Sequence, residues 1–351
     1  MNKHKEKTNN ISINRIFIFG VVDVFNTRTD LALEAKEIYE NESGKDIDGV
    51  KISESLKDNI KITNVNVIED VGEKMIGKPK GSYITIDIPK LAHYDGELRD
   101  KLSKVMGDEL KEIINSIGND LDNSMTALVV GLGNWNITPD SLGPKVISRL
   151  MVTRHLKQLV PDKIDERIRP VCAVAPGVLG LTGIESSEII KGIVDKIKPN
   201  IIICIDALAS RKMDRVNSTI QISNTGISPG SGVANRRMEL SIKTLGVPVI
   251  AIGVPTVVDA ATMANDTIDC VVNELISKSK TGGEFYNMLK SMDKEEKRKL
   301  IIEILNNSEN IMVTPKDVDV VIESVSKILA LGINMALQPE LNLEEINTFL
   351  E

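Results

Sequence analysis

Between about residue 120 and residue 282, two kinds of hydrophobic pattern alternate along the chain. Short continuous apolar runs read as buried strands, and longer segments with a 3.6-residue repeat read as helices. The expected strands are Met125–Gly131, Ile168–Val174, Ile201–Ile205, Thr219–Ile222 and Val247–Gly253. The expected helices are Pro144–Leu159, Ser186–Ile197, Met238–Leu245 and a segment from about Val258 to Ser277. Pro144 sits near a helix start, where its missing N–H costs nothing, and Pro199 stops the second helix. Strands that are apolar throughout and alternate with helices imply a mainly parallel sheet covered on both faces, an α/β doubly wound core.

The flanks read differently. Ile60–Ile68 and Ser82–Ile88 alternate apolar and polar positions, like half-exposed strands, and Glu97–Ile117 is an amphipathic helix. The region before residue 120 is thus α+β decoration, and the region after it ends in a helical part, 283–351. The charge run Asp293–Lys299 reads as a solvated helix face, and the tail from Pro339 has no evident partner.

Composition narrows the function classes. Lys and Arg number 43 against 50 Asp and Glu, a net charge of −7, which disfavours a nucleic-acid-binding surface. Aromatic residues make up only 3%, too few for base-stacking platforms. Cys172, Cys204 and Cys270 have no Cys-x-x-Cys spacing and an odd count, so a reducing, cytoplasmic setting is expected, with each thiol a small buried apolar residue. The apolar run Ile16–Val22 is interrupted at Asp23 and lacks a cleavage site, so neither a signal peptide nor a membrane span is expected.

In open parallel sheets, ligands bind beyond the carboxyl ends of the strands. Gly131–Pro144, Asp206–Arg211, Ser223–Gly232 and Val254–Thr256 follow the expected strands, and they are rich in Gly, Asn, Asp, Ser and Thr. Asp206 directly follows five apolar residues, and Asp140 lies just before a helix start. Two carboxyls at neighbouring strand ends can share a proton, one acting as base on a water and the other as acid. Either aspartate equally suits a cap or turn. Pro229–Gly232 can present N–H groups to an oxyanion, or form a plain turn. Gly131-x-Gly133-x-x-Asn136 lacks the third glycine of a dinucleotide fingerprint, and no phosphate-binding P-loop is present. His4, His93 and His155 are isolated, none follows a core strand, and no metal-ligand spacing occurs.

Five blocks, Arg28–Ala35, Gly131–Pro144, Ile205–Arg211, Thr225–Gly232 and Gly246–Ala260, together resemble the germination proteases of spore-forming bacteria. The similarity runs from about residue 26 to the C-terminus. The resemblance implies a fold like the hydrogenase maturation proteases. It also implies an atypical aspartic-type endopeptidase of the spore core that degrades small acid-soluble spore proteins, is made as a zymogen and assembles as a homotetramer. No cofactor, metal, nucleic acid or membrane is implied. The family's essential aspartates fall on Asp140 and Asp206. Its substrates are cut after an acidic residue, and Thr29-Asp30-Leu31-Ala32-Leu33-Glu34 loosely fits that pattern. Self-cleavage between Asp30 and Leu31 is therefore expected, with 1–30 a propeptide and 31–351 a single peptidase domain whose core spans about 120–282. Thr29 also suits the cap of a helix through Leu31–Tyr39.

On this reading, Gly230, Ser231 and Gly232 are the oxyanion candidates, and Arg211, Arg236 and Arg237 the candidates for binding acidic substrate residues. Mild acid should favour the singly protonated pair. Three other readings stay open: a metal-assisted peptidase, a non-catalytic nucleotide- or anion-binding module, and a serine mechanism through Ser228.

Overall fold

The computed structural model describes residues 29–43, 47–90, 95–118, 124–230, 238–279, 281–291, 303 and 311–350. Among the described residues, nine strands form one sheet: β1 Val50–Lys57, β2 Ile60–Val67, β3 Gly81–Asp87, β4 Ala127–Gly131, β5 Val171–Val174, β6 Ile201–Ser210, β7 Thr219–Ser223, β8 Val249–Asp259 and β9 Met312–Val313. The order is β1-β2-β3-β7-β8-β6-β4-β5, with β9 on the far end of β8. Strands β8, β6, β4 and β5 run parallel, as the continuous apolar runs require. The remaining strands pair antiparallel, so the segments before residue 120 extend the same sheet rather than decorating it from outside.

Strand alternation divides the core in two. Ala127, Val129, Ile201, Ile203, Ile205, Ile250 and Ile252 face the helices Gly96–Ser116, Leu142–Ile147 and Val318–Leu337. Leu128, Val130, Ile202 and Cys204 face the opposite side, against Ile190 and Val194 of the helix Ser186–Ile197. On that same side, Val65, Val67 and Tyr83 of the antiparallel half pack against Ala32 and Leu33 of the helix Ala32–Ser43. Val318–Leu337 is long and apolar enough to cross a bilayer, yet 72% of its most apolar window is buried inside the protein, so it is a core helix.

Several expectations are corrected. Pro144–Leu159 is two short helices, Leu142–Ile147 and Arg154–Leu159. The intervening chain is claimed by distant partners: Met151 N–H donates to Asn334 Oδ1 at 2.9 Å, and Thr153 N–H to Val171 O at 3.0 Å. Strand β6 continues five residues past Ile205, and β8 runs on to Asp259, because each supplies the other's ladder beyond the apolar stretch. The tail does have a partner. Ile346 of the helix Leu343–Leu350 is fully buried, and Glu345 pairs with Arg167 at 2.8 Å. The charge run at 293–299 lies outside the described residues.

The cysteines also divide. Cys204 is buried, Cys172 partly so, and Cys270 is exposed on the helix Ala260–Lys278. Burial pushes the Cys172 thiol up, and it pushes Cys204 up further, where the neighbouring Asp206 charge adds to it. Native alkylation with iodoacetamide should therefore modify Cys270 first and Cys172 slowly, and reach Cys204 only on unfolding, as followed by peptide mass mapping.

Candidate active site

The Asp140 loop is built on glycines. The backbone at Gly131 runs against Gly143, and a Cβ at residue 131 would lie 2.4 Å from the Gly143 carbonyl oxygen. A Cβ at residue 143 would lie 2.3 Å from the carbonyl oxygen of Leu132. Gly133 takes φ +112°, a conformation side chains disfavour, and a Cβ there would stand 2.0 Å from Asp140 O. These contacts, with Asn134 N–H donating to Asp140 O at 3.0 Å, fold the loop back over the end of β4. The glycines thus serve close backbone approach, with Asp140 Oδ1 lying over Gly133. The single turn Thr138–Asp140 packs against β6 and β8. Asp140 is half-buried.

Asp206 lies within β6 rather than beyond it, 7% exposed, with Ala207 N–H donating to its Oδ1 at 3.0 Å. It is opposite Gly253 of β8, which in turn is opposite Gln221 of β7. Asp206 and Gln221 therefore share one cross-strand row with a glycine between them, their Cα atoms about 10 Å apart. The row lies on the face that carries the helix Ala32–Ser43. Leu208 covers Gly253, where a Cβ would meet Leu208 Cδ1 at 2.3 Å. Asp140 and Asp206 thus reach the same end of the sheet from two different elements.

The expected cleavage segment is docked at this end. Asp30 N–H donates to Ala209 O at 3.0 Å, and Ala209 N–H donates to Asp30 Oδ2 at 2.9 Å. The Asp30 carbonyl accepts from Lys78 Nζ at 2.9 Å and from Gln221 Nε2 at 3.3 Å. Gln221 Oε1 accepts from Ala32 N–H at 2.7 Å, so one amide side chain grips both sides of the Asp30–Leu31 bond. Leu31 and Ala32 are fully buried, and Leu33 is 9% exposed. Glu34, 1% exposed, accepts from Arg211 N–H at 2.8 Å and Lys212 N–H at 3.0 Å. Thr29 takes Leu31 N–H on its hydroxyl at 3.1 Å while donating to Glu34, but the helix starts at Ala32, so Thr29 ties the turn before the helix rather than capping it.

Of the other candidates, Arg211 pairs with Asp266 at 3.1 Å, while its backbone rather than its guanidinium meets Glu34. Gly230 sits in a turn at φ +73°. Ser231, Gly232, Arg236 and Arg237 lie outside the described residues, as do His4, His93 and residues 1–28. His155 is an exposed helix residue. Among the described residues, no group of three or more His, Cys, Asp or Glu side chains is placed to hold a metal ion.

Sequence reasoning missed Lys78, Gln221 and Ala209. Lys78 reads as a turn residue in Lys78-Pro79-Lys80-Gly81, and Gln221 as the polar position of a short strand. Burial pushes the Lys78 ammonium down from the usual lysine range, against the opposing pull of Asp30 and Glu34. Its turn is fixed from below by Tyr83, whose hydroxyl donates to Pro79 O at 2.8 Å.

Most of the chain is similar to known proteins. The germination protease profile matches residues 28–284 and 272–350. A germination protease of Clostridium tetani is 60% identical over 324 residues, covering 92% of this chain and 99% of that protein. One of Clostridium acetobutylicum is 62% identical over 324 residues, covering 92% and 98%. One of Bacillus mycoides is 42% identical over 359 aligned positions, covering 93% and 97%. Among solved structures, a nickel–iron hydrogenase maturation protease of Thermococcus kodakarensis aligns with 53% of this chain and 96% of its own, at 18% identity and a TM-score of 0.24. The chain belongs to the germination protease family.

Proposed function

We propose that this chain is an aspartic-type endopeptidase, made as a zymogen that removes Met1–Asp30 from itself and then degrades small acid-soluble spore proteins in the germinating spore. The observation that carries the reading is the row Asp206–Gly253–Gln221, with the chain's own acidic segment held over it by Gln221. An acid followed by a large apolar residue, Ala and a later acid is the pattern expected of the substrates, and Asp30-Leu31-Ala32-Leu33-Glu34 lies docked along it.

In the proposed reaction, a water held by Asp140 and Asp206 loses its proton to one carboxylate. Its oxygen attacks the carbonyl carbon before the cut bond. The other carboxyl gives its proton to the leaving nitrogen as the C–N bond breaks. The peptide bond between Asp30 and Leu31 is the first one cut. Acidic recognition falls to backbone N–H groups: Ala209 for the residue before the bond, and Arg211 and Lys212 for Glu34 beyond it. Assembly as a homotetramer and residence in the spore core belong to the same proposal, as the family resemblance implies.

Intact mass spectrometry tests it. Purified full-length chain incubated at mildly acidic pH should lose Met1–Asp30, and the product should then cut an added small acid-soluble spore protein after acidic residues. A chain that stays whole and leaves that protein whole would overturn the reading.

A further inference from the structure

Of the oxyanion donors expected at Gly230–Gly232, Ser231 and Gly232 lie outside the described residues, and among the described residues two other groups touch the bond to be cut. The carbonyl oxygen of Asp30 is held by Lys78 Nζ at 2.9 Å and Gln221 Nε2 at 3.3 Å. Lys78 also reaches Thr29 O at 3.3 Å, so its ammonium sits across the last two residues before the bond. From these contacts we infer that Lys78 and Gln221 are the donor pair that holds and polarises the Asp30 carbonyl during self-cleavage, which makes them catalytic residues of the maturation step. The inference rests on the proposed cut between Asp30 and Leu31.

The chemistry needs such a pair. When hydroxide from the water adds to the Asp30 carbonyl carbon, the carbonyl electron pair moves to its oxygen, which becomes an alkoxide. The alkoxide then collapses, the C–N bond breaks, and the proton goes to the Leu31 nitrogen. Negative charge therefore builds on the one atom that an ammonium and an amide N–H already face. Gln221 and Asp206 share a cross-strand row, which puts one donor and one member of the proposed acid–base pair on the same face of the sheet. Gln221 fixes the direction of the bond as well, since its Oε1 takes the Ala32 N–H on the far side. Lys78 is part-buried, so water competes less for the Asp30 oxygen that its amine touches.

The test uses the full-length chain. Lys78→Met should slow the loss of Met1–Asp30 by about 100-fold, the usual consequence of losing one such donor. Gln221→Leu should slow it too, and Lys78→Arg, which keeps a charged N–H donor, should recover most of the rate. Should Lys78→Met fail to fold, Lys78→Ala carries the same measurement. A readout independent of cleavage uses the Asp206→Asn chain, which keeps the segment attached. There, adding Gln221→Leu should accelerate hydrogen exchange at the Ala32 amide, and adding Lys78→Met should accelerate it across Leu31 and Ala32. Self-cleavage of Lys78→Met at the parental rate would overturn the inference. So would unchanged exchange in both variants if the parent chain never cuts itself. If Asp140→Asn and Asp206→Asn cut like the parent while Lys78→Met is slow, the aspartate reading fails and the donor pair stands.

Discussion

The Asp206→Asn chain should stay at full length under conditions in which the parent loses Met1–Asp30, and its rate on an added substrate should fall by about 10³-fold or more. The magnitude follows from removing proton transfer from both halves of the reaction. The amide that replaces the carboxyl can neither take a proton from water nor return one to the leaving nitrogen. The fold should survive, because the ladder partners of residue 206 are backbone groups and an asparagine Oδ1 still accepts the Ala207 N–H. Asp140→Asn should give a similar loss for the same reason. Its loop is held by close backbone approaches at Gly131, Gly133 and Gly143, and asparagine keeps the size of the side chain that lies over Gly133. Intact mass against time reads the self-cleavage, and an unchanged circular dichroism spectrum and melting temperature confirm that the variants are folded. Either variant cutting at the parental rate would remove that aspartate from the mechanism.

The second large effect is steric and has an internal control. Gly143→Ala should destabilise the protein by about 3 kcal/mol. Its Cβ would stand 2.3 Å from Leu132 O and 2.6 Å from Leu132 N, and neither atom can swing aside as a side-chain tip would. The neighbouring chain would have to move, taking the Asp140 loop with it, so proteolytic activity should fall alongside stability. Gly192→Ala is the same chemical change in the exposed middle of the helix Ser186–Ile197, with nothing within 4 Å of the new methyl. That substitution should stabilise by about 1 kcal/mol, the difference in helix propensity. Urea unfolding of the two variants should shift the midpoint in opposite directions. Equal shifts would mean that the close approach of Gly131 to Gly143 does not constrain the loop.

The sequence by itself determined the alternating core, because a strand buried on both faces must be apolar throughout, and runs such as Ile201–Ile205 can hardly be anything else. It pointed to both candidate aspartates, Asp206 because it directly follows such a run and Asp140 because it lies just before a helix start. It also determined the acidic segment Asp30–Glu34 through the family resemblance. What lay beyond it was decided by partners far away in the chain. Strand β6 passes through Asp206 to Ser210 because β8 lies alongside to take its hydrogen bonds, whereas in the sequence Asp206 interrupts the apolar run and the three apolar residues after it are too few to read as a strand. The helix expected over Pro144–Leu159 breaks because Asn334 and Val171 bind its middle. Arg211 turns toward Asp266, 55 residues further along the chain, rather than toward the acidic segment. The groups that grip the Asp30 carbonyl come from a turn 48 residues away and a strand 191 residues away. Local pattern reports what a residue must be buried against. It carries no record of which distant donor will meet a given carbonyl, because that meeting exists only once the sheet order has brought β7, β8 and β6 side by side.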